Sequence, residues 1–196
     1  VLILIASATL LSADSWATPL AWNTNAAGNF IGSQTWTYDN AGVLATTGNP
    51  FNHVDLAGGG GGANLVIIGE GGSVTLDTPG QGPFSNNSLL EIRIGTSAAE
   101  ANFTGLTPPG PDLRGNGTLT VSNVDLLLRD DGGTTDQTGR LIIGGAANRT
   151  GTVHWNSTGT LRAHGHLRVG QGGTGTLNQN GGTIRTGVRS GIDGLM

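Results

Sequence analysis

Three arginines carry the most suggestive chemistry in this chain. Arg129, Arg162 and Arg185 follow similar phrases: Val124 to Leu128, Gly159-Thr160-Leu161 and Gly182-Thr183-Ile184. Aligned on those phrases, the three take the same outward position on successive strands. Neighbouring strands of a sheet lie about 4.8 Å apart, so the guanidinium groups would form a ladder. Guanidinium forks bind carboxylates and sulfates through paired hydrogen bonds. A polysaccharide with repeated anionic groups is therefore the ligand such a ladder suits. The plainer reading is a solvated face with counter-ions. Like charges placed opposite one another are destabilising, so each Arg is expected to lean away or to find an acid.

Asp130, Asp131 and Asp136 lie in one polar stretch with Gly132 and Gly133. Oxygen ligands on a flexible loop suit Ca²⁺, which makes these three the candidate metal site. The competing reading is a solvated turn, where Asp and Gly are common in any case. His154, His164 and His166 fall close together. Zinc needs ligands that converge in space, whereas alternation points His154 and His164 outward from different strands. Exposed single imidazoles are expected. Gly58 to Gly62 followed by Ala63 and Asn64 has the glycines of a calcium-binding nonapeptide repeat but not its Asp, so no site is assigned there. No glycine-rich phosphate loop stands between a strand and a helix, and no cofactor is expected.

Catalysis finds little support. Glycoside hydrolysis needs two carboxyl groups roughly 5–10 Å apart across the sugar bond. Glu70, Glu91 and Glu100 are the only glutamates, and none recurs with an Asp in a shared register. A polysaccharide lyase needs a base and a charge-neutralising group, and the chain has no Lys. A carbohydrate-active enzyme, lyase or hydrolase, is kept as the alternative function. Asn-x-Ser/Thr triplets at Asn86, Asn102, Asn116, Asn148 and Asn156 are ordinary in a chain this rich in Asn, Ser and Thr.

What would position these side chains is a recurring phrase. It stands as Val66-Ile67-Ile68-Gly69, Ile92-Arg93-Ile94-Gly95, Leu141-Ile142-Ile143-Gly144 and Leu167-Arg168-Val169-Gly170, with glycines 26, 49 and 26 residues apart. A period of this size marks a stacked repeat. The clearest unit holds three strands: 140–143, 151–155 and 159–163. The next follows at 166–169, 175–179 and 182–186. Looser units start near Glu91 and Ala63. Alternation along each strand directs Val66 and Ile68, Ile92 and Ile94, Leu141 and Ile143, and Leu167 and Val169 inward. Arg93 and Arg168 then point out. In the second strand the inward pairs are Val74 and Leu76, Leu119 and Val121, Val153 and Trp155, and Leu177 and Gln179. Trp155 is expected between Val121 and Gln179. One unit cannot bury its apolar side, but stacked units can. The fold expected is all-β, a parallel β-helix of three strands per coil. A β-sandwich is the runner-up, since short strands at this spacing also suit it.

Composition agrees with packed strands. Gly supplies 36 of 196 residues, charged residues only 11%, and the net charge is −4. A basic nucleic-acid binder and an acidic disordered tail are thereby excluded as expectations, and glycine lacks the three-residue period of collagen. There is no Cys, so neither disulfides nor thiolate metal sites are available.

Along the chain, residues 1–17 read as a signal peptide. Val1 to Leu11 has the length of an apolar core region, and Ser15 and Ala17 offer small residues for cleavage. The run is shorter than the roughly 20 apolar residues that span a bilayer, so no membrane span is expected in the mature chain. A basic start is lacking, which suggests truncation or an alternative start. Residues 18–62 match the repeat poorly and hold Trp22, Phe30, Trp36, Tyr38 and Phe51. They are expected to cap the stack, since open strand edges invite aggregation. Residues 63–187 form the repeats, with loops at 79–88, 96–114 and 130–139. Residues 188–196 read as an incomplete or truncated tail, and further repeats, a transporter barrel or an anchor are expected downstream.

Leu167-Arg168-Val169-Gly170-Gln171-Gly172-Gly173-Thr174-Gly175-Thr176-Leu177, followed by Asn180-Gly181-Gly182-Thr183, resembles the repeats of bacterial autotransporter-type passengers and of PEP-CTERM-type exported proteins. The resemblance is good over 140–187 and looser over 63–130. It implies a right-handed β-helix, secreted or held on the outer surface of a bacterial cell. The expected function is that of a structural or adhesive surface segment without catalysis. Anionic surface polysaccharide or neighbouring surface proteins would be its partners.

Overall fold

Strands form where a small or polar residue alternates with a β-branched or leucine residue, and corners form at glycine. The computed structural model describes residues 20–22, 27–31, 36–38, 43–44, 65–69, 71–78, 91–95, 115–128 and 139–187. These residues are all-β and contain no helix. In chain order the strands are β1 (Leu20–Trp22), β2 (Ala27–Asn29), β3 (Trp36–Tyr38), β4 (Val43–Leu44), β5 (Leu65–Ile68), β6 (Gly72–Leu76), β7 (Glu91–Ile94) and β8 (Gly117–Val121). They continue as β9 (Leu126–Leu128), β10 (Arg140–Ile143), β11 (Thr150–Trp155), β12 (Thr160–Ala163), β13 (Leu167–Val169), β14 (Thr174–Gln179) and β15 (Thr183–Thr186).

The strands make three sheets. The first runs β13-β10-β7-β5-β1-β3-β4, the second β14-β11-β8-β6-β2, and the third β15-β12-β9. From β7 to β15 the chain visits the three sheets in strict rotation. Every pair among these strands is parallel: β7 with β10 and β10 with β13, β8 with β11 and β11 with β14, β9 with β12 and β12 with β15. Hairpins, which a sandwich of sequential strands uses, do not link them. Among the described residues, antiparallel pairing occurs only where β1 meets β3 and β3 meets β4.

The registers are those the repeat demands. Gly72, Gly117, Gly151 and Gly175 lie opposite one another, followed by Val74, Leu119, Val153 and Leu177. Val66, Ile92, Leu141 and Leu167 form the corresponding ladder of the first sheet. These inward residues make one apolar cluster with Leu126, Leu128, Leu161 and Ala163 from the third sheet. Trp155 is fully buried, opposite Val121 on one side and Gln179 on the other. Gly144 ends β10 with a positive φ of 66°, and a Cβ there would collide with the backbone at Thr174. Only glycine fits both demands.

Part of the segment expected as a cap continues the sheets. β1 pairs in parallel with β5, setting Trp22 opposite Ile68, and β2 pairs in parallel with β6. Trp22 and Phe30 are buried in the same cluster as the repeat residues. Large aromatics thus stand where later repeats carry aliphatics, and the corner glycine that made those repeats visible is absent. The signal segment 1–17 and the tail 188–196 lie outside the described residues.

Candidate functional site

Arg162 sits mid-strand in β12 and is exposed, as is Arg185 in β15. The parallel register sets the two directly opposite one another. On its other side Arg162 faces Leu127 of β9, with Leu161 opposite Leu126. The strand phrases had been aligned with Arg129 in that position. The observed register instead gives it to Leu127, because the third strand of that unit pairs two residues earlier. Arg129 itself lies outside the described residues. The outer side of the third sheet therefore brings together two of the three arginines. Asp130, Asp131 and Asp136, the candidate metal ligands, also lie outside the described residues. Among the described residues no three His, Asp or Glu side chains converge.

Polar partners also cross from repeat to repeat elsewhere on the stack. His154 Nδ1 lies 3.3 Å from Asn178 Nδ2. Asn180 Nδ2 donates to Asn156 Oδ1 at 2.8 Å. Asn116 Oδ1 accepts from the backbone N–H of Thr150 at 2.7 Å. Asp125 Oδ1 accepts from the N–H of Thr160 at 2.5 Å, beside the start of β12. His154 is half-buried and paired with an amide, and His166 is exposed. These contacts fix successive repeats laterally without spending a charge pair.

Two buried polar arrangements escaped the sequence. Ser157 is wholly buried at the corner between β11 and β12. Its hydroxyl donates to the Val124 carbonyl at 2.6 Å, and its oxygen accepts from the N–H groups of Val124 and Gly159, both at 3.0 Å. It thereby satisfies backbone groups of two repeats that the turn leaves unpaired. The second arrangement is ionic. Glu91 Oε1 accepts from Arg93 Nε at 2.6 Å and Glu91 Oε2 from Arg140 Nη2 at 2.7 Å. Glu91 and Arg140 are opposite in register, and Arg93 follows two residues on, on the same side of the strand.

Arg93 lies on the outer side of its strand, as expected, but is buried there. It points away from Ile92 and Ile94 as alternation requires, yet it is only 7% exposed. Ile67 and Ile142 on that same side are buried as well. The outer side of the first sheet is thus a second interior from β5 to β10, whereas Arg168 on β13 remains half-exposed. Glu91, the one glutamate in a described strand, is fully engaged by two guanidinium groups. It serves as the counter-charge of a buried cluster, where unpaired ions would be costly. No protein-family model, curated protein or solved structure matches the chain.

Proposed function

We propose that this chain is a passive surface scaffold. Its three sheets are the sides of one right-handed parallel β-helix, three strands to the coil, capped on the N-terminal side by part of residues 18–62. It is exported from a bacterial cell as a structural or adhesive segment and catalyses nothing. Its outward arginines Arg162 and Arg185 contact anionic surface glycans.

The observation that carries this reading is the rotation of β7 to β15 through three parallel sheets with every repeat in register. Such a stack is rigid and repeats its outer side chains at strand spacing, about 4.8 Å. Arg162 opposite Arg185 is one step of that repeat. Two like charges with no acid against them among the described residues suit a polyanion, whose carboxylates or sulfates would relieve their repulsion. The resemblance of 140–187 to autotransporter-type and PEP-CTERM-type repeats supports export and the surface location.

The test is binding and turnover on the same polymers. Immobilised alginate- or heparin-like polyanions should retain the chain at low salt and release it as salt screens the contact. The double variant Arg162→Ala/Arg185→Ala should lose most of that retention. Equal retention of the double variant would remove the arginines from the contact. Release of unsaturated or reducing sugars by the purified chain would overturn the passive reading in favour of a polysaccharide-active enzyme.

A further inference from the structure

The dipeptide Asn-Gly occurs twice in the chain, as Asn116-Gly117 and Asn180-Gly181. Both asparagines are exposed, yet the stack holds them differently. Asn116 stands just before β8. Its Oδ1 accepts from the N–H of Thr150 at 2.7 Å, and its main-chain carbonyl accepts from the N–H of Gly71, also at 2.7 Å. Gly117 is buried in β8 between β6 and β11, and a Cβ there would strike the Ile68 carbonyl. The Asn116 side chain can reach the Gly117 nitrogen only by leaving Thr150 and turning a strand that is paired on both sides.

Asn180 stands at the corner between β14 and β15. Trp155 lies opposite Gln179, so Asn180 takes the place that Asn156 has one repeat earlier, and Gly181 takes that of Ser157. At the earlier corner the Ser157 hydroxyl ties Val124 to Gly159. Gly181 has no hydroxyl. Its corner is held by the Gln179 amide, which donates to the carbonyls of Gly181 and Gly182 at 3.2 and 3.1 Å. Those bonds fix carbonyls and leave the Gly181 N–H without a partner among the described residues. The Asn180 side chain is held by Nδ2 alone, which donates to Asn156 Oδ1 at 2.8 Å. Its exposure does not depend on where the stack stops, because Asn156, beside a strand with a neighbour on each side, is exposed as well.

We propose that Asn180 is a site of covalent self-modification, converting to isoaspartate and aspartate through a cyclic imide with Gly181, and that the fold protects Asn116 from the same reaction. Glycine has no Cβ to hinder the approach of the side chain, and Asn is among the thermolabile residues. Water or hydroxide takes the proton of the Gly181 N–H. The nitrogen bonds to Asn180 Cγ, the Cγ–Nδ2 bond breaks, and Nδ2 leaves as ammonia with a proton from water. A second water then adds to one carbonyl of the ring and opens it. Opening at the main-chain carbonyl of residue 180 gives isoaspartate, and opening at Cγ gives aspartate. The sequence needs no oxidant or reductant. Either product adds a negative charge at the corner and removes the Nδ2 donor from Asn156. Isoaspartate also lengthens the main chain between β14 and β15 by a methylene, which loosens β15 against β12.

Peptide mapping by mass spectrometry tests this on the intact folded chain, incubated at mildly alkaline pH, with enzymatic isoaspartyl methylation of the separated peptides as the second readout. Asn180 should convert at least about fivefold faster than Asn116, since conversion at Asn116 requires local opening of a paired strand. In urea the two rates should converge. Amide hydrogen exchange over 183–186 should quicken in the isoaspartyl form. Conversion of Asn116 as fast as Asn180 in the folded chain would overturn the proposal. So would an Asn180 that stays intact in the folded chain while it converts in urea. Rates that remain as unequal in urea would assign the difference to the flanking sequence and overturn the protection of Asn116 by the fold.

Discussion

The repeats at 140–163 and 166–186 have nearly the same sequence pattern and very different surroundings. Ile143 is fully buried and its counterpart Val169 is 45% exposed. Val153 is 1% exposed whereas Leu177 is only partly buried. Trp155 is wholly enclosed, and Gln179, opposite it, is exposed. Among the described residues, strands β10, β11 and β12 have a neighbour on each side, strands β13, β14 and β15 on one side. Burial in a stack is therefore set by position along it, and a residue pattern alone describes only which side would be covered.

The largest expected effect is at the enclosed end of that comparison. Trp155→Ala removes the bulkiest side chain of its ladder, and truncating a buried aromatic costs about 3–5 kcal/mol. Gln179→Ala, its neighbour in register, should cost less than about 0.5 kcal/mol, as exposed substitutions do. Urea denaturation of both variants measures the contrast. Similar losses would mean that the two positions share one environment and that the register is displaced.

Next comes the buried triad of the first sheet. Glu91→Gln breaks the ion pairs with Arg93 and Arg140, and breaking a buried ion pair costs about 3–5 kcal/mol. The exposed Arg185→Gln, made on the last repeat, should fall within about 0.5 kcal/mol of the parent. Thermal or urea unfolding decides it. A Glu91→Gln loss below about 1 kcal/mol would place the triad in water. Ser157→Ala should follow, at about 1–3 kcal/mol, the cost of leaving buried backbone groups unsatisfied. Val169→Ala should stay within about 1 kcal/mol of the parent, against about 2–5 kcal/mol for the enclosed Ile143→Ala.

Much of this was legible in the sequence. The glycine spacing and the two-residue alternation gave the strands, their inward pairs and the place of Trp155, because both signals are local and repeat. Alternation could not reveal that the outer side of the first sheet is itself an interior. For that reason the outward direction of Arg93 is legible but its burial and the Glu91 ion pairs are not, although Glu91 and Arg140 are opposite in register. The arginine ladder was misaligned at Arg129 because Leu126-Leu127-Leu128 has no alternation to fix which residue faces in. Ser157 gave no signal, being one of many Ser and Thr residues near corners. Residues 20–31 carry the apolar positions of a repeat as Trp22 and Phe30, but without its corner glycine nothing announced the match. The aspartates at 130, 131 and 136 lie beyond what the described residues address.

The central claim is that successive repeats lie parallel and in register. Nuclear Overhauser contacts between backbone amide and α protons test it most directly in an isotopically labelled chain. In-register stacking predicts cross-peaks that link 117–121 to 151–155 and 151–155 to 175–179, with Val153 facing Leu119 on one side and Leu177 on the other. Cross-peaks of antiparallel hairpins between these segments, or a pattern that sets Val153 against Asn178, would contradict it.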